Sequence, residues 1–258
     1  QDARRHGVEV LPVCVNNSGC EARCIDSSTI RMGLNLVRGL GVDAASRIEQ
    51  AAPFTDIADL SRRADLSVDH VEALARAGAL DCFEVSRRQA LWQAGVAATE
   101  REGMLPGLSS VVAPSLPGMN PFELMAADVI ATGVTPGLMP VEMVRSALST
   151  QGVVPAAELL HGVEDGTRVR VAGVITHRQH PATAGGVTFL GMEDETGLIN
   201  VVISVGLWNK QRVLARTAKA LVVRGIVQNA SGAVSVVADR LEPLAMGELL
   251  SRGSRDFR

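Results

Sequence analysis

Apolar residues between positions 28 and 95 recur at helical spacing, which predicts short helices joined by glycine-containing turns. Two apolar faces lie on either side of the turn Gly39-Leu40-Gly41. Their members are Met32, Leu36 and Val37 before the turn and Ala44, Ala45 and Ile48 after it. Glycine adopts positive φ without steric cost, so this turn favours a tight reversal of the chain. The helix that follows begins with backbone N–H groups that have no partner within the helix, and such groups can hold a phosphate.

A second helix and turn follow at residues 67–80 and repeat this pattern in degenerate form. Ser67 is a favoured N-cap residue, Val71 and Leu74 face inward, and Ala77-Gly78-Ala79 takes the place of Gly39-Leu40-Gly41. The doubling predicts a tandem helix-hairpin-helix over residues 28–95, a class that binds the DNA backbone without reading the bases. An ordinary helical hairpin with a glycine cap explains the same residues. In the DNA-binding alternative, the ligands are the backbone of Gly39, Leu40 and Gly41, assisted by Arg38 and Arg47.

Residues 166–245 change to the alternating pattern of strands. Three strands, a helical segment and two more strands follow one another, which is the order of an OB-fold, a five-stranded barrel. The predicted segments are 168–176, 187–194, 198–203, the helical segment 208–218, 220–227 and 233–238. Gly173 and Gly225 fall inside strands, where a small barrel needs bends. The predicted fold class is therefore α+β in two units: an all-α tandem helix-hairpin-helix domain followed by the barrel.

The remaining segments are harder to assign from the pattern. Residues 1–27 contain one short strand near Val8–Val13. Residues 96–165 are interrupted by prolines but are too apolar for a disordered linker, so we expect an ordered connector with short helices at 121–131 and 140–150. Residues 246–258 form a C-terminal tail.

Composition limits the kind of protein this can be. Hydrophobic residues make up 47% of the 258 residues, aromatic residues 3%, and the net charge is −3. A free-standing DNA-binding protein is usually basic, so any DNA contact must be local. No apolar run is long enough to cross a membrane and no signal peptide opens the sequence, so we expect a cytoplasmic protein without a membrane partner. The chain begins inside a segment expected to be ordered, which suggests a part of a longer protein.

The predicted barrel carries the candidate residues for single-stranded DNA. In an OB-fold the surface of strands two and three, with its flanking loops, binds single strands. The segment from His177 to Gly186 is predicted as the loop after strand one, and Phe189 and Trp208 are either stacking or core residues. Basic residues exceed acidic ones by about four between positions 166 and 245, which favours phosphate binding. The candidate ligands are His177, Arg178, Gln179, His180, Phe189, Lys210 and Arg212.

No residue pattern in the sequence predicts a catalytic centre, because phosphate-binding P-loops, HExxH and nucleophile-elbow motifs are all missing. Glu193-Asp194-Glu195 follows a strand, where carboxylates either cap a turn or bind a metal. Cys14, Cys20 and Cys24 have the spacing C-x5-C-x3-C, which is not a zinc-knuckle pattern. A zinc site would need His6 as a fourth ligand, and free thiols are the alternative.

Several stretches resemble the bacterial C-family DNA polymerases, and the barrel resembles the error-prone branch of that family. The resemblance covers nearly the whole chain and departs from the family at Cys14, Cys20 and Cys24. The stretches that carry it are His6–Pro12, Ile30–Leu34, Val37–Gly41, Glu72–Asp81, Arg87–Trp92 and Val169–Gly197. In this family they correspond to the end of the fingers, over residues 1–27, the tandem helix-hairpin-helix and the OB-fold.

The resemblance implies the DNA-binding C-terminal part of a translesion polymerase that serves DNA repair. The palm carboxylates that hold Mg²⁺ in the complete polymerase have no counterpart here, so the chain itself needs no cofactor and carries no polymerase activity. The implied partners are duplex and single-stranded DNA, and a damage-response Y-family-like accessory protein that connects the polymerase to the sliding clamp. A stand-alone nucleic-acid-binding or protein-interaction module without polymerase activity is the competing hypothesis.

Overall fold

The computed structural model describes residues 2–97, 116–181, 185–230 and 232–244. The chain divides into two compact units, Gln1–Leu138 and Met139–Arg258. The division falls inside the segment 96–165 that the sequence predicts as a connector. Residues 98–115 of that connector, residues 182–184 of the predicted barrel loop and the predicted tail 246–258 lie outside the described residues.

The first unit opens with a short helix and a small sheet. Helix α1 spans Asp2–Arg5, and strand β1 spans Glu9–Leu11. Strand β3 (Thr29–Arg31) lies between β1, with which it pairs in parallel, and β2 (Arg23–Cys24), with which it pairs antiparallel. The sequence predicts only the first of these strands. Since β3 lies at the start of the range 28–95, the region predicted to be all-α begins with a strand.

Helices make up the rest of the described part of this unit. They are α2 (Val42–Ala51), α3 (Ile57–Arg63), α4 (Val68–Arg76), α5 (Arg87–Ala97) and α6 (Pro121–Thr132). Two of them begin with reciprocal capping hydrogen bonds, Ser67 with His70 in α4 and Asn120 with Glu123 in α6. Their apolar faces enclose one core that includes the fully buried Ile48.

One predicted helix is wrong. The sequence predicts a helix before the turn at Gly39, but the chain forms only a 3-10 turn, Leu34–Leu36. The amides of Leu34 and Asn35 donate instead to the carbonyl oxygens of Gly19 and Cys20, at 2.9 and 3.0 Å. These tertiary hydrogen bonds use backbone donors and fix the start of the segment against a neighbouring loop.

The second unit begins with a helical segment that packs on the barrel. It contains α7 (Pro140–Met143), α8 (Arg145–Ser149), strand β4 (Val153–Val154) and α9 (Ala156–Gly162). Asp194, which is completely buried, accepts hydrogen bonds from Arg145 Nη2 at 2.9 Å and from the amide of Ala156 at 2.8 Å. Its other oxygen accepts from the amides of Thr196 and Gly197. Asp194 is therefore a turn cap that also holds this helical segment, which confirms the turn alternative for Glu193-Asp194-Glu195.

Five long strands form the barrel predicted from the sequence. They are β5 (Arg168–Gln179), β6 (Thr188–Glu193), β7 (Leu198–Ile203), β8 (Ala220–Ala230) and β9 (Ala233–Pro243). The hydrogen-bonded order is β5-β6-β7-β9-β8, and antiparallel pairing of β5 with β8 closes the barrel. The predicted helical segment between the third and fourth strands is present as two short helices, α10 (Val205–Lys210) and α11 (Arg212–Thr217).

Two features of the barrel bear on the sequence analysis. The pairing of β8 with β9 shifts register between Arg224 and Gly225, as expected for a bulge, the second irregularity that a small barrel uses beside bends. Strand β5 continues to Gln179, so His177, Arg178 and Gln179 are strand residues, and their assignment to the loop is wrong. The strand extends because β6 pairs with it through Gln179 opposite Phe189.

No helix among the described residues combines the length and the apolar character that crossing a membrane requires.

Candidate nucleic-acid interfaces

Helix α2 begins with an open, uncapped N-terminus. Its N-cap residue is Gly41, which has φ +77° and provides no side-chain cap, whereas α3 begins at Asp56, whose side chain accepts a hydrogen bond from the amide of Asp59. A Cβ atom added at Gly41 would meet no atom of the described residues within 4 Å, so the turn is open at this position. The partial positive charge of the first helical turn favours an anion at this point.

The three residues of the predicted turn have different roles. Gly39 has φ +87° and is exposed, like Gly41. Leu40 is only 2% exposed, and its amide donates to the carbonyl oxygen of Val37 at 3.2 Å, so this amide already has a partner. The prediction that the Leu40 amide binds phosphate is therefore wrong. The first turn of α2, which contains Val42 and Asp43, provides the amides in its place.

The two arginines predicted beside this turn bond to the carboxyl ends of other helices. Arg38 donates from Nη1 to the carbonyl oxygen of Ile130 at 2.9 Å, in the last turn of α6. Arg47 donates from Nε to Ala64 at 2.8 Å and from Nη2 to Asp65 at 3.0 Å, just after α3. The last carbonyl oxygens of a helix have no hydrogen-bond partner within the helix, and these guanidinium groups provide one. Both arginines thus have structural partners within the protein.

The second turn is covered by an arginine. Gly78 is the residue with positive φ, at +72°, so Gly78 corresponds to Gly39. The sequence pattern predicts Ala77 in that place, one position earlier. A side chain at Gly78 would lie 2.5 Å from Nη2 of Arg87, which forms a mostly buried ion pair with Asp128 at 2.7 Å. This turn therefore serves packing, and the open turn at Gly41 is the candidate site for a DNA backbone.

Arg87 also affects a neighbouring carboxyl group. Burial raises the pKa of Asp81 above its usual value of 3.8, and the charge of Asp128 acts in the same direction, while Arg87 partly opposes both. Asp81 is the first residue after this turn's Leu80, so a carboxyl group lies where an open hairpin would present amides. This position is unfavourable for a phosphate.

An aromatic surface lies on the outside of the barrel where β5, β6 and β7 are neighbours. His177 pairs with Gly191, and Phe189 pairs with both Gln179 and Val202. Because strand residues alternate between faces, these side chains share the outer face, while the intervening Leu190 is buried in the core. Phe189 is 38% exposed, which leaves part of its ring open for stacking.

Gly191 explains how the His177 ring lies on this surface. A Cβ atom at Gly191 would overlap the imidazole of His177, so the ring covers the backbone of β6 at the one position without a side chain. Thr176 Oγ1 donates to the carbonyl oxygen of Gly191 at 3.1 Å and lies 3.0 Å from His177 Nδ1. We define the outer aromatic face as His177, Gln179, Phe189 and Gly191. The sequence analysis missed Gly191, although a glycine in an alternating strand is a signal for close approach.

Arg178 and His180 connect this strand to the helices of the barrel. Arg178 donates from Nε to the carbonyl oxygen of Ala215 at 3.0 Å and from Nη2 to that of Ala218. His180 stacks on Trp208 with ring centroids 5.8 Å apart, and its Nδ1 lies 2.8 Å from Thr188 Oγ1. Trp208 packs on the barrel core, as the core alternative requires. Both predicted ligands therefore have partners within the protein.

Lys210 and Arg212 are exposed at the junction of α10 and α11. Neither side chain forms an ion pair or hydrogen bond within the described ranges. Within these ranges no group of three or more His, Cys, Asp or Glu residues is arranged to hold a metal ion, and all four cysteines are free thiols.

The two regions match two models of nucleic-acid-binding families. Residues 7–90 match the helix-hairpin-helix motif, and residues 169–244 match the OB-fold nucleic acid binding domain. Fold and family models together define a chain in which a helix-hairpin-helix region precedes an OB-fold nucleic acid binding domain.

The similarity to known proteins extends over the full chain. An error-prone DNA polymerase of Corynebacterium glutamicum is 68% identical over 257 residues, and that of Corynebacterium efficiens is 67% identical. Each alignment covers 100% of this chain and 24% of the relative, so the chain spans about a quarter of their length. Among solved structures, an asparaginyl-tRNA synthetase from Pyrococcus horikoshii is similar to part of this chain, with 23% sequence identity and a TM-score of 0.31. The match covers 36% of this chain and 23% of the synthetase chain. Over its whole length the chain is therefore similar to one part of the error-prone DNA polymerases.

Proposed function

We propose that this chain is the DNA-binding, C-terminal part of an error-prone DNA polymerase used in translesion synthesis and DNA repair. In this proposal the helix-hairpin-helix region holds the duplex backbone, and the barrel contacts the single-stranded template. The observation that carries the proposal is the uncapped N-terminus of α2, where the turn is open at Gly41. The Y-family-like accessory protein, the sliding clamp and a cytoplasmic location follow from the family resemblance and belong to the same proposal.

The duplex site uses backbone amides of α2, at and beside the exposed residues Gly39 and Gly41. Arg38 and Arg47 contribute mainly by fixing neighbouring helix ends, since their guanidinium groups already bond to carbonyl oxygens. Asp43 lies in the first turn of α2 and carries a negative charge next to the amides. It stabilises the free helix through the helix dipole, but it repels a phosphate. Removing the charge of Asp43 should therefore change helix stability and phosphate binding in opposite directions, which tests the site.

The duplex experiment measures binding of a labelled DNA duplex to the 258-residue chain by fluorescence anisotropy. Asp43→Asn should strengthen duplex binding while it lowers the free energy of unfolding by about 0.3–1 kcal/mol, because the dipole loses a favourable charge. A variant that is less stable yet binds more tightly cannot be explained by partial unfolding. Unchanged or weaker duplex binding by Asp43→Asn would contradict the site.

A pair of glycine substitutions tests the same site with a matched control. Gly41→Val should weaken duplex binding, because valine does not tolerate φ +77° and the turn must move. Gly166 has φ +78° and equally open surroundings but lies in the barrel unit, so Gly166→Val carries the same kind of backbone strain away from the site. Equal loss of duplex affinity in the two variants would contradict the proposal.

The barrel contacts single-stranded DNA through the outer aromatic face. Each stacked base contributes about 1–3 kcal/mol of binding free energy. His177→Ala and Phe189→Ala should therefore weaken binding to an oligothymidine by this amount each, while Ile226→Ala, a similarly exposed apolar residue on β8, should not. Equal effects in all three variants would favour the stand-alone protein-interaction hypothesis for the barrel.

The chain itself should not extend a primer, because the catalytic carboxylates of this polymerase family have no counterpart in it. Incubation with primer–template DNA, Mg²⁺ and nucleotides should yield no product above the level of a mock purification. Template-dependent extension by the purified chain would overturn this part of the proposal.

A further inference from the structure

The positive charges of the barrel unit fall into two groups that differ in their partners. Four arginines of the strands share two carboxylates: Arg168 and Arg224 contact Asp239, each at 2.7 Å, and Arg170 contacts Glu242 at 2.9 Å. Arg240 contacts Glu242 as well, also at 2.9 Å. These arginines are exposed or half-buried surface residues, and each has a carboxylate partner within the protein, so that the two carboxylates offset half of their charge.

The second group consists of cations without such compensation. Its members are Lys210, Arg212, Arg216 and Lys219, which we define as the basic helix face. All four residues are exposed, and none of their side chains forms an ion pair or hydrogen bond within the parts of the chain that the structure describes. The surrounding sequence adds to this imbalance, because residues 196–238 contain five basic residues and no acidic one. Among the described residues of the barrel unit, the lysines and arginines without a carboxylate partner are thus the basic helix face and Arg178, which bonds to carbonyl oxygens instead.

The spacing of these cations along the helices suits an extended polyanion. Lys210 ends α10, Arg212 begins α11, and Arg216 follows four residues later, so Arg212 and Arg216 lie side by side on one helical face. Val213, between them in sequence, is 77% exposed, so no other described part of the chain covers this surface.

Two contacts connect the basic helix face to the outer aromatic face. Arg178 follows His177 in β5 and bonds to the carbonyl oxygens of Ala215 and Ala218 at the end of α11. His180 stacks on Trp208 of α10. The strand that presents His177 is thereby held against the helices that carry the cations. The outer aromatic face and the basic helix face therefore lie at the same end of β5, on opposite sides of the strand.

We propose that the basic helix face is the phosphate-binding half of the single-strand site, so that bases stack on β5 and β6 while the backbone follows α10 and α11. This proposal rests on the proposed function and extends it to Arg216 and Lys219. In it Arg178 is a positioning residue that holds α11 next to the strand. Single-stranded DNA is favoured over an acidic protein because a strand that passes over this end of β5 has cations on one side and a surface suited to stacking on the other, and carboxylate side chains would not use the second surface.

The experiment compares charge-matched double variants of the full chain. Each phosphate contact with a single strand contributes about 0.7 to the slope of log affinity against log salt concentration. Lys210→Gln/Arg212→Gln and Arg216→Gln/Lys219→Gln should each lower that slope for an oligothymidine by about 1.4. Between 50 and 200 mM salt, each double variant should therefore lose about sevenfold less affinity than the unmodified chain does.

The control double variant is Arg168→Gln/Arg240→Gln. Like the other double variants, it removes two positive charges from the barrel unit. It leaves Asp239 paired with Arg224 and Glu242 paired with Arg170. Its slope should equal that of the unmodified chain. Slopes reduced equally in all three double variants would show a general charge effect and overturn the proposal.

The remaining outcomes separate this proposal from the proposed function. If His177→Ala and Phe189→Ala weaken binding but the helix-face variants behave like the control, the single-strand function stands and the backbone path is wrong. If the unmodified chain does not bind oligothymidine, both the single-strand function and this path fail. If polyglutamate of matched charge binds the face more tightly than oligothymidine does, the face belongs to an acidic protein.

Discussion

Arg178 donates from Nε to the carbonyl oxygen of Ala215 over 3.0 Å, and thereby joins the end of strand β5 to helix α11. The pairing register of β5 with β6 explains why the Arg178 side chain lies on the side of α11. Arg178 pairs with Leu190, which is buried, whereas its neighbour His177 pairs with Gly191 on the outer face. Arg178 thus lies on the side of the strand that faces the helices that pack on the barrel core, and its charge stabilises the carboxyl end of α11.

We predict that Arg178→Ala lowers the free energy of unfolding by about 1–2 kcal/mol, because helix carbonyls lose charged donors. The salt dependence of oligothymidine binding should change little in the folded variant. Chemical denaturation and anisotropy titrations measure the two quantities. Arg216→Ala should show the reverse: unfolding within about 0.5 kcal/mol of the unmodified chain, as expected for an unpaired surface residue, and a lower salt slope. A lower slope in Arg178→Ala without loss of stability would make Arg178 a phosphate ligand.

Hydrophobic periodicity predicts most elements of this fold because each helix or strand buries one face. The barrel order, the helical segment before its fourth strand and the tandem turns all follow from that pattern. The partners of charged side chains do not, because they depend on elements that are distant in sequence. Arg47 and Ala64 are 17 residues apart, and Arg178 and Ala215 are 37 residues apart.

The position of Arg178 was nevertheless accessible from the sequence. Alternation places residues 177 and 179 on one face of β5 and residue 178 on the other, once the strand extends to Gln179. The polar composition of this segment favours a loop instead, and side chains in a loop do not alternate between two faces. By contrast, the covered state of the Gly78 turn depends on Arg87, which no local pattern reveals.

Arg47 should be more important for folding than for DNA binding. We predict that Arg47→Ala lowers the free energy of unfolding by about 1–3 kcal/mol, since the carbonyl oxygens of Ala64 and Asp65 lose charged donors. Arg76→Ala is the matched control, because Arg76 forms only an exposed pair with Glu72 one helical turn away, which contributes less than about 1 kcal/mol. Thermal and denaturant unfolding measure the difference. Similar stability of the two variants would show that the Arg47 contacts contribute little.

Asp194 should be the most sensitive carboxylate of the barrel unit. We predict that Asp194→Asn lowers the free energy of unfolding by about 1–3 kcal/mol, because an amide nitrogen replaces a buried acceptor oxygen, whereas Arg145 keeps its ion pair with Glu195. Glu164→Gln, at an exposed position, should change it by less than about 0.5 kcal/mol. Urea denaturation followed by tryptophan fluorescence is a suitable measurement, since Trp208 packs on the barrel core. A loss below about 1 kcal/mol would contradict the role of Asp194 as the anchor of α9.

The pH dependence of stability should reveal the environment of Asp81. Burial, reinforced by the charge of Asp128, raises the pKa of Asp81 in the folded chain above its usual value of 3.8, so the folded state holds this proton more tightly than the unfolded state. The contribution of Asp81 to stability is therefore fully present below pH 3.8 and declines as pH rises from 3.8 through the raised pKa. Asp81→Asn removes this titration, so the variant should gain stability relative to the unmodified chain as pH rises through that interval. Urea unfolding of both proteins across the interval measures the difference, and a constant difference would show that Asp81 titrates alike in the folded and unfolded states.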